Sequence, residues 1–157
     1  MKNATTTDLE LVISRTFNAP RELVFACWTE MEHKAHWQGA PEGFTVRDLE
    51  ADIRPGGSFK LCMRSPEGED HWLQGRYIQV EQPSLLEFTH CWLDAEGRPG
   101  KGTLVTVTFE EAEGNTLLTL RQTSFVSMDS RDGHSGGWNS TLDTLATYLD
   151  SLKRTPL

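Results

Sequence analysis

Two side chains in this sequence combine a reactive type with an inward position. They are His90, in "LLEFTHCW", and Gln122, in "TLLTLRQT". Side chains alternate across a β-strand. Leu86, Phe88, His90 and Trp92 therefore share one face, and Leu118, Leu120 and Gln122 share another. An imidazole between Phe88 and Trp92 is either satisfied by a neighbour or available to orient a ligand. General acid–base work would also require a partner and a substrate proton within reach. The sequence supplies neither, so no catalytic residue is assigned. Gln122 reads as a hydrogen-bonding group on the same inward surface.

Other reactive combinations are weaker. His33 and His36, in "EHKAHW", are three apart on a helical pattern, a spacing metals use. No third ligand is evident, and no metal or other cofactor is expected. Asp52 and Arg54 share a strand face and read as a surface pair. Arg76 and Arg121 are placed either to pair with acids on neighbouring strands or to bind a carboxylate. Ser135, in "HSGGW", lacks the Gly-x-Ser-x-Gly spacing of a nucleophile elbow. "RPGGSF" lacks both the lysine and the following helix of a phosphate-binding loop.

These residues need elements to position them. "LELVISRTF" alternates Leu11, Ile13 and Phe17 and predicts a strand over 9–17. Pro20 suits the first turn of a helix, with Asn18 as its cap. That helix carries Leu23, Val24, Cys27 and Trp28 on one face. "MEHKAHWQ" predicts a second short helix with Met31, Ala35 and Trp37 inward. Five or six strands follow, over 44–53, 58–64, 71–80, 85–92, 103–110 and 116–124. Phe59, Leu61 and Met63 share a face, as do Val105, Val107 and Phe109. The connections "RPGG", "SPEGED", "EQPS" and "EAEGN" are short turns, which predict an antiparallel meander. Trp138, Leu142, Leu145, Leu149 and Leu152 form one face of a long terminal helix. Gly136 and Gly137 stand at its head, although glycine costs a helix about 1 kcal/mol relative to alanine. Either they mark a loop, and the helix starts at Trp138 or Asn139, or they allow close approach to the backbone.

Composition narrows the classes of partner. Fifteen basic against 23 acidic residues give the 157-residue chain a net charge of −8. That disfavours nucleic acid and anionic membrane surfaces, which require a basic face. The N-terminal stretch has no apolar core of a signal peptide, and no apolar run approaches the roughly 18 residues of a membrane span. A soluble cytoplasmic protein is expected, with one domain over 1–157 and a core over about 9–152. The three cysteines are widely spaced. Cys27 falls on a buried helix face, while Cys62 and Cys91 fall opposite the apolar rows of their strands. No intramolecular disulfide is expected.

"SRTFNAPRELVFACWTE", "HWQGAPEGF", "DIRPGGSFKLCMR", "QGRYIQVEQPSLLEFTHCW", "TVTFEEAEGNTLLTLRQ" and "GGWNSTLDTLATYL" follow one another in order. Together they resemble the activator of heat-shock protein 90 ATPase homologue 1-like family of the START-like (SRPBCC) superfamily, from about Leu9 to Leu152. The resemblance implies an α+β helix-grip fold, with a curved antiparallel sheet wrapped around a long C-terminal helix and a cavity between them. The cavity residues it implies are Trp37, Phe59, Leu61, Met63, Phe88, His90, Trp92, Val107, Phe109, Leu120, Gln122, Trp138 and Leu142. The expected partner is a small hydrophobic or aromatic ligand, and a homodimer is left open. An enzyme of the cyclase or aromatase type on the same scaffold is the alternative. A co-chaperone role is a third reading. The namesake proteins carry a separate N-terminal domain, and this chain has only a few residues before its first strand.

Overall fold

The computed structural model describes residues 9–34, 36–37, 43–125 and 127–153, without the side chains of Met31 and Lys153. The alternating segments form seven strands: β1 (Glu10–Phe17), β2 (Thr45–Ala51), β3 (Ser58–Arg64), β4 (Asp70–Glu81), β5 (Leu85–Trp92), β6 (Thr103–Ala112) and β7 (Asn115–Thr123). All pair antiparallel in one curved sheet of order β1-β7-β6-β5-β4-β3-β2. Two short helices, α1 (Arg21–Thr29) and α2 (Met31–Lys34), follow β1, and a long helix, α3 (Met128–Lys153), closes the chain.

Register brings the inward rows side by side. Phe88 faces Val105, Val105 faces Gln122, Val107 faces Leu120 and Phe109 faces Leu118. Phe88, Val105, Val107, Phe109, Leu118, Leu120 and Gln122 are all buried. The apolar stripe of α3 lies in the same core, where Leu142, Leu145 and Leu149 are buried as the helical spacing predicts. The "EAEGN" hairpin turns through Glu113 and Gly114 at φ 55° and 86°. Positive φ at both central positions matches the right-handed twist of the flanking strands. Gly75 in β4 is required by packing: a Cβ there would stand 1.9 Å from the Thr89 carbonyl oxygen and 2.4 Å from the Phe59 ring.

Several local expectations change. Asn18 does not cap α1. Pro20 holds the cap position with extended backbone, no side chain caps the helix, and the Pro20 carbonyl accepts from the Val24 amide at 3.1 Å. The helix at α2 is a single turn. Trp37 is buried beyond it, while the inward placement of Met31 and Ala35 falls outside the described side chains. Cys62 points away from the core row yet is fully buried. Trp72 and Arg47 flank it on the neighbouring strands, and the Arg47 and Lys60 cations lie 5.4 and 5.0 Å from the Trp72 ring. That stack covers the outer face, with cation–π attraction holding it.

The largest change is at α3, which begins at Met128, ten residues before Trp138. Gly133, Gly136 and Gly137 therefore lie inside the helix, and neither a loop nor a start at Trp138 or Asn139 describes this segment. The Ser127 hydroxyl accepts from the Ser130 amide at 3.0 Å, which supplies the first turn with a capping contact.

A candidate ligand cavity under the head of α3

The space between α3 and the sheet is unequally filled. At the α1 end, Trp28 stacks on Trp138 at 6.0 Å and meets Trp37 and Phe109 edge-on at 4.7 and 6.1 Å. Phe25 meets Phe109 edge-on at 5.1 Å. Trp37 is anchored by its indole N–H, which donates to the Cys27 carbonyl at 2.8 Å. At the other end, under the first turns of α3, a cavity of about 350 Å³ remains. Its sheet wall is Met63 from β3, Leu73 from β4, and His90 and Trp92 from β5. Its helix wall is Asp129, Ser130, Gly133, His134, Gly137, Trp138 and Thr141.

Those helix positions recur every three or four residues, so they share one face of α3. Glycine at two of them removes side chains from that face. A Cβ built at Gly133, Gly136 or Gly137 meets no heavy atom within 4 Å. The sheet does not press against these glycines; Gly133 and Gly137 face open space.

Trp138 stands where the packed and open ends meet. It is buried, and its indole N–H donates to Gln122 Oε1 at 2.8 Å. Gln122 Nε2 donates to Thr103 Oγ1 at 2.7 Å, and that hydroxyl donates to the His90 carbonyl at 3.1 Å. This relay ties α3 to β7, β6 and β5. Gln122 thus places Trp138 and does not border the cavity.

His134 is fixed from both sides. An indole N–H can only donate, so Trp92 Nε1 donates to His134 Nε2 at 3.0 Å. The other ring nitrogen, Nδ1, then carries the proton and donates to the Ser130 carbonyl at 2.7 Å. The His90 ring meets His134 edge-on at 5.5 Å and Trp92 at 5.7 Å. His90 is 7% exposed, and its Nδ1 is buried without a hydrogen-bond partner. Burial, with His134 nearby, pushes the His90 pKa down from 6.5 to about 3. His90 is therefore neutral near pH 7, with one ring nitrogen unspent.

Of the residues named from the sequence, Met63, His90, Trp92 and Trp138 border the cavity. Trp37, Phe59, Leu61, Phe88, Val107, Phe109, Leu120 and Leu142 are instead buried in the packed core. Leu73, His134, Ser130 and Thr141 join the wall without having been singled out. For the three on α3, the signal was their helical spacing from Trp138. His33 and His36 engage Tyr148: His33 Nδ1 lies 2.7 Å from the Tyr148 hydroxyl and the His36 ring stacks at 5.0 Å. No group of three or more potential metal ligands gathers among the described residues. Arg54 pairs with Asp52 at 2.9 Å and Arg121 with Glu10 at 2.8 Å, both on the surface. No helix among the described residues is long and apolar enough to cross a membrane.

A family model described as Activator of Hsp90 ATPase homolog 1-like protein matches residues 18–150. The chain belongs to this family. The AHSA1 protein from Silicibacter pomeroyi is a similar solved structure, 28% identical, with a TM-score of 0.83 over 93% of this chain and 100% of that one. A Chromobacterium violaceum protein is 25% identical, with a TM-score of 0.80 over 88% and 94% of the two chains. An Arthrobacter aurescens protein at 23% identity shares the fold, with a TM-score of 0.82 over 95% and 90%. Comparison with curated proteins gave no match. The sheet and long C-terminal helix are the family's helix-grip fold, in general a ligand-binding scaffold.

Proposed function

We propose that the protein binds a small hydrophobic or aromatic molecule carrying one hydrogen-bonding group, in the cavity under the head of α3. The observation that carries this reading is a largely apolar space with a buried imidazole in its wall, His90, whose Nδ1 has no hydrogen-bond partner. The volume of about 350 Å³ is roughly twice that of an apolar cavity able to hold benzene, ~150 Å³. It falls in the usual range of small-molecule sites, about 300–1,000 Å³. Trp92, Trp138 and Met63 supply apolar area. A buried polar atom without a partner costs about 1–3 kcal/mol, so a ligand that satisfies it gains that much discrimination. Held neutral, His90 is better suited to orienting a ligand than to taking a proton from one. The same proposal places the protein in the cytoplasm, where three free thiols persist in reduced form.

The experiment is a fluorescence screen of flat hydroxylated aromatics and fatty acids against the native protein and His90→Phe. Binding is expected to shift Trp92 and Trp138 emission. Hydroxylated binders are expected to lose about tenfold or more in affinity for His90→Phe, since about 1.4 kcal/mol is a factor of ten. Their unhydroxylated isosteres should lose little. Equal affinity of both proteins for every binder would remove His90 as the orienting contact. Absence of any binder would overturn the reading as a whole.

A further inference from the structure

The wall formed by His90, Trp92 and His134 has a second side. Beyond it lies a small cleft of about 50 Å³, which shares these three residues and Ser130 with the main cavity. With a water molecule's share of liquid volume near 30 Å³, the cleft has room for a pair of oxygens but not for an aromatic ring. Lys101, Thr103 and Ser124 complete its lining. Lys101 takes part in no ion pair among the described residues. Ser130 belongs to the first turn of α3, where the helix dipole favours negative charge. The charges along the two spaces are ordered. Asp129 borders only the main cavity and Lys101 only the cleft.

From this arrangement we infer that the ligand is amphiphilic and carries a carboxylate, which enters the cleft while the apolar body fills the main cavity. This rests on the main cavity being the ligand chamber. Lys101 supplies the counter-charge, and the hydroxyls of Ser124 and Ser130 supply donors. Asp129, which borders the main cavity and not the cleft, repels a carboxylate from the larger space, so the ligand has one orientation. The Trp92–His134 hydrogen bond joins two residues that border both spaces.

The test uses 2-naphthoate and its uncharged near-isostere 2-naphthamide, titrated by calorimetry at about physiological ionic strength. The native protein is expected to prefer the carboxylate by about tenfold, the effect of one charge-assisted hydrogen bond. Lys101→Met should erase that preference, costing 2-naphthoate about tenfold more affinity than 2-naphthamide; Lys101→Arg should keep it. Lys101 is an exposed loop residue, so these variants leave the core untouched. If both probes bind the native protein equally, or if Lys101→Met keeps the preference, the cleft is not a carboxylate subsite and the chamber stands. If neither probe binds, the chamber reading falls and the subsite falls with it.

Discussion

The two ends of the interior share one sheet and one helix, yet one is packed solid and the other is open. At the α1 end, Trp28 meets three other large aromatic residues, Trp37, Trp138 and Phe109, at 4.7, 6.0 and 6.1 Å. At the other end, α3 presents Gly133 and Gly137 where side chains would otherwise reach the sheet. The same helix changes character along its length, from glycines at its head to Leu142, Leu145 and Leu149 further on. The difference shows that the cavity is written into side-chain size on one helix face and owes nothing to a gap in the strand pairing. It also separates two duties. The packed end holds the fold, and the open end spends helix stability to keep space.

The sharpest way to break this contrast is Trp28→Ala. Trp28 is fully buried, and its indole N–H has no acceptor among the described residues, so the loss is one of packing. Denaturant titration is expected to show destabilisation of about 3–5 kcal/mol. A loss below about 1 kcal/mol would mean that the aromatic cluster does not hold the fold.

A second expectation concerns acid. His90 titrates at about 3 in the folded protein, below its ordinary value of 6.5. The unfolded chain therefore takes up a proton as pH falls through 6.5, while the folded chain does so only near 3. This contribution to stability is lost across that window, at about 1.4 kcal/mol per pH unit. Between pH 6.5 and 4.5 the loss from His90 should be about 2–3 kcal/mol by the same arithmetic. Unfolding titrations at pH 7, 5.5 and 4.5 check it, and His90→Phe should flatten the slope in that range. An unchanged slope would show that His90 is hydrated in the folded state.

The smallest expected effect runs the other way. Gly137→Ala adds a methyl group into open space and removes a poor helix former. It should stabilise the protein by up to about 1 kcal/mol and reduce the affinity of any cavity ligand. A destabilised variant would show that the space at the head of α3 is already occupied. Together with Trp28→Ala, this substitution tests whether stability and openness lie at opposite ends.

Much of the fold was legible in the sequence, and the reason is periodicity. Period-two rows such as Leu86–Phe88–His90 and Val105–Val107–Phe109 predict both the strands and their buried faces, and the burial agrees. What periodicity could not say is which inward residues touch one another and which leave space. Phe88 and Met63 look alike as members of apolar rows, but only Met63 borders the cavity. The head of α3 was hidden for a different reason. "SRDGHSGGW" holds three glycines, and intrinsic propensity argues against a helix there. Tertiary placement overrides it, as contacts from Trp92, His90 and Phe125 gather around His134. Asn18 failed as a cap because Pro20 already supplies the extended residue at the helix entrance.

One feature of the sheet reaches beyond binding. β1 and β2 are neighbours in sequence but stand at opposite edges, and β1 pairs only with β7, so that Glu10 lies against Thr123. During synthesis the first strand emerges with no partner. At roughly 5–20 residues per second, the hundred or so residues up to its partner take about 5–20 s to be made. Throughout that interval Leu11, Ile13 and Phe17 are an uncovered apolar row on an unpaired strand. The nascent chain is most exposed to aggregation there, and a ribosome-stalled chain ending before β7 should be the species that chaperones and proteases capture most readily.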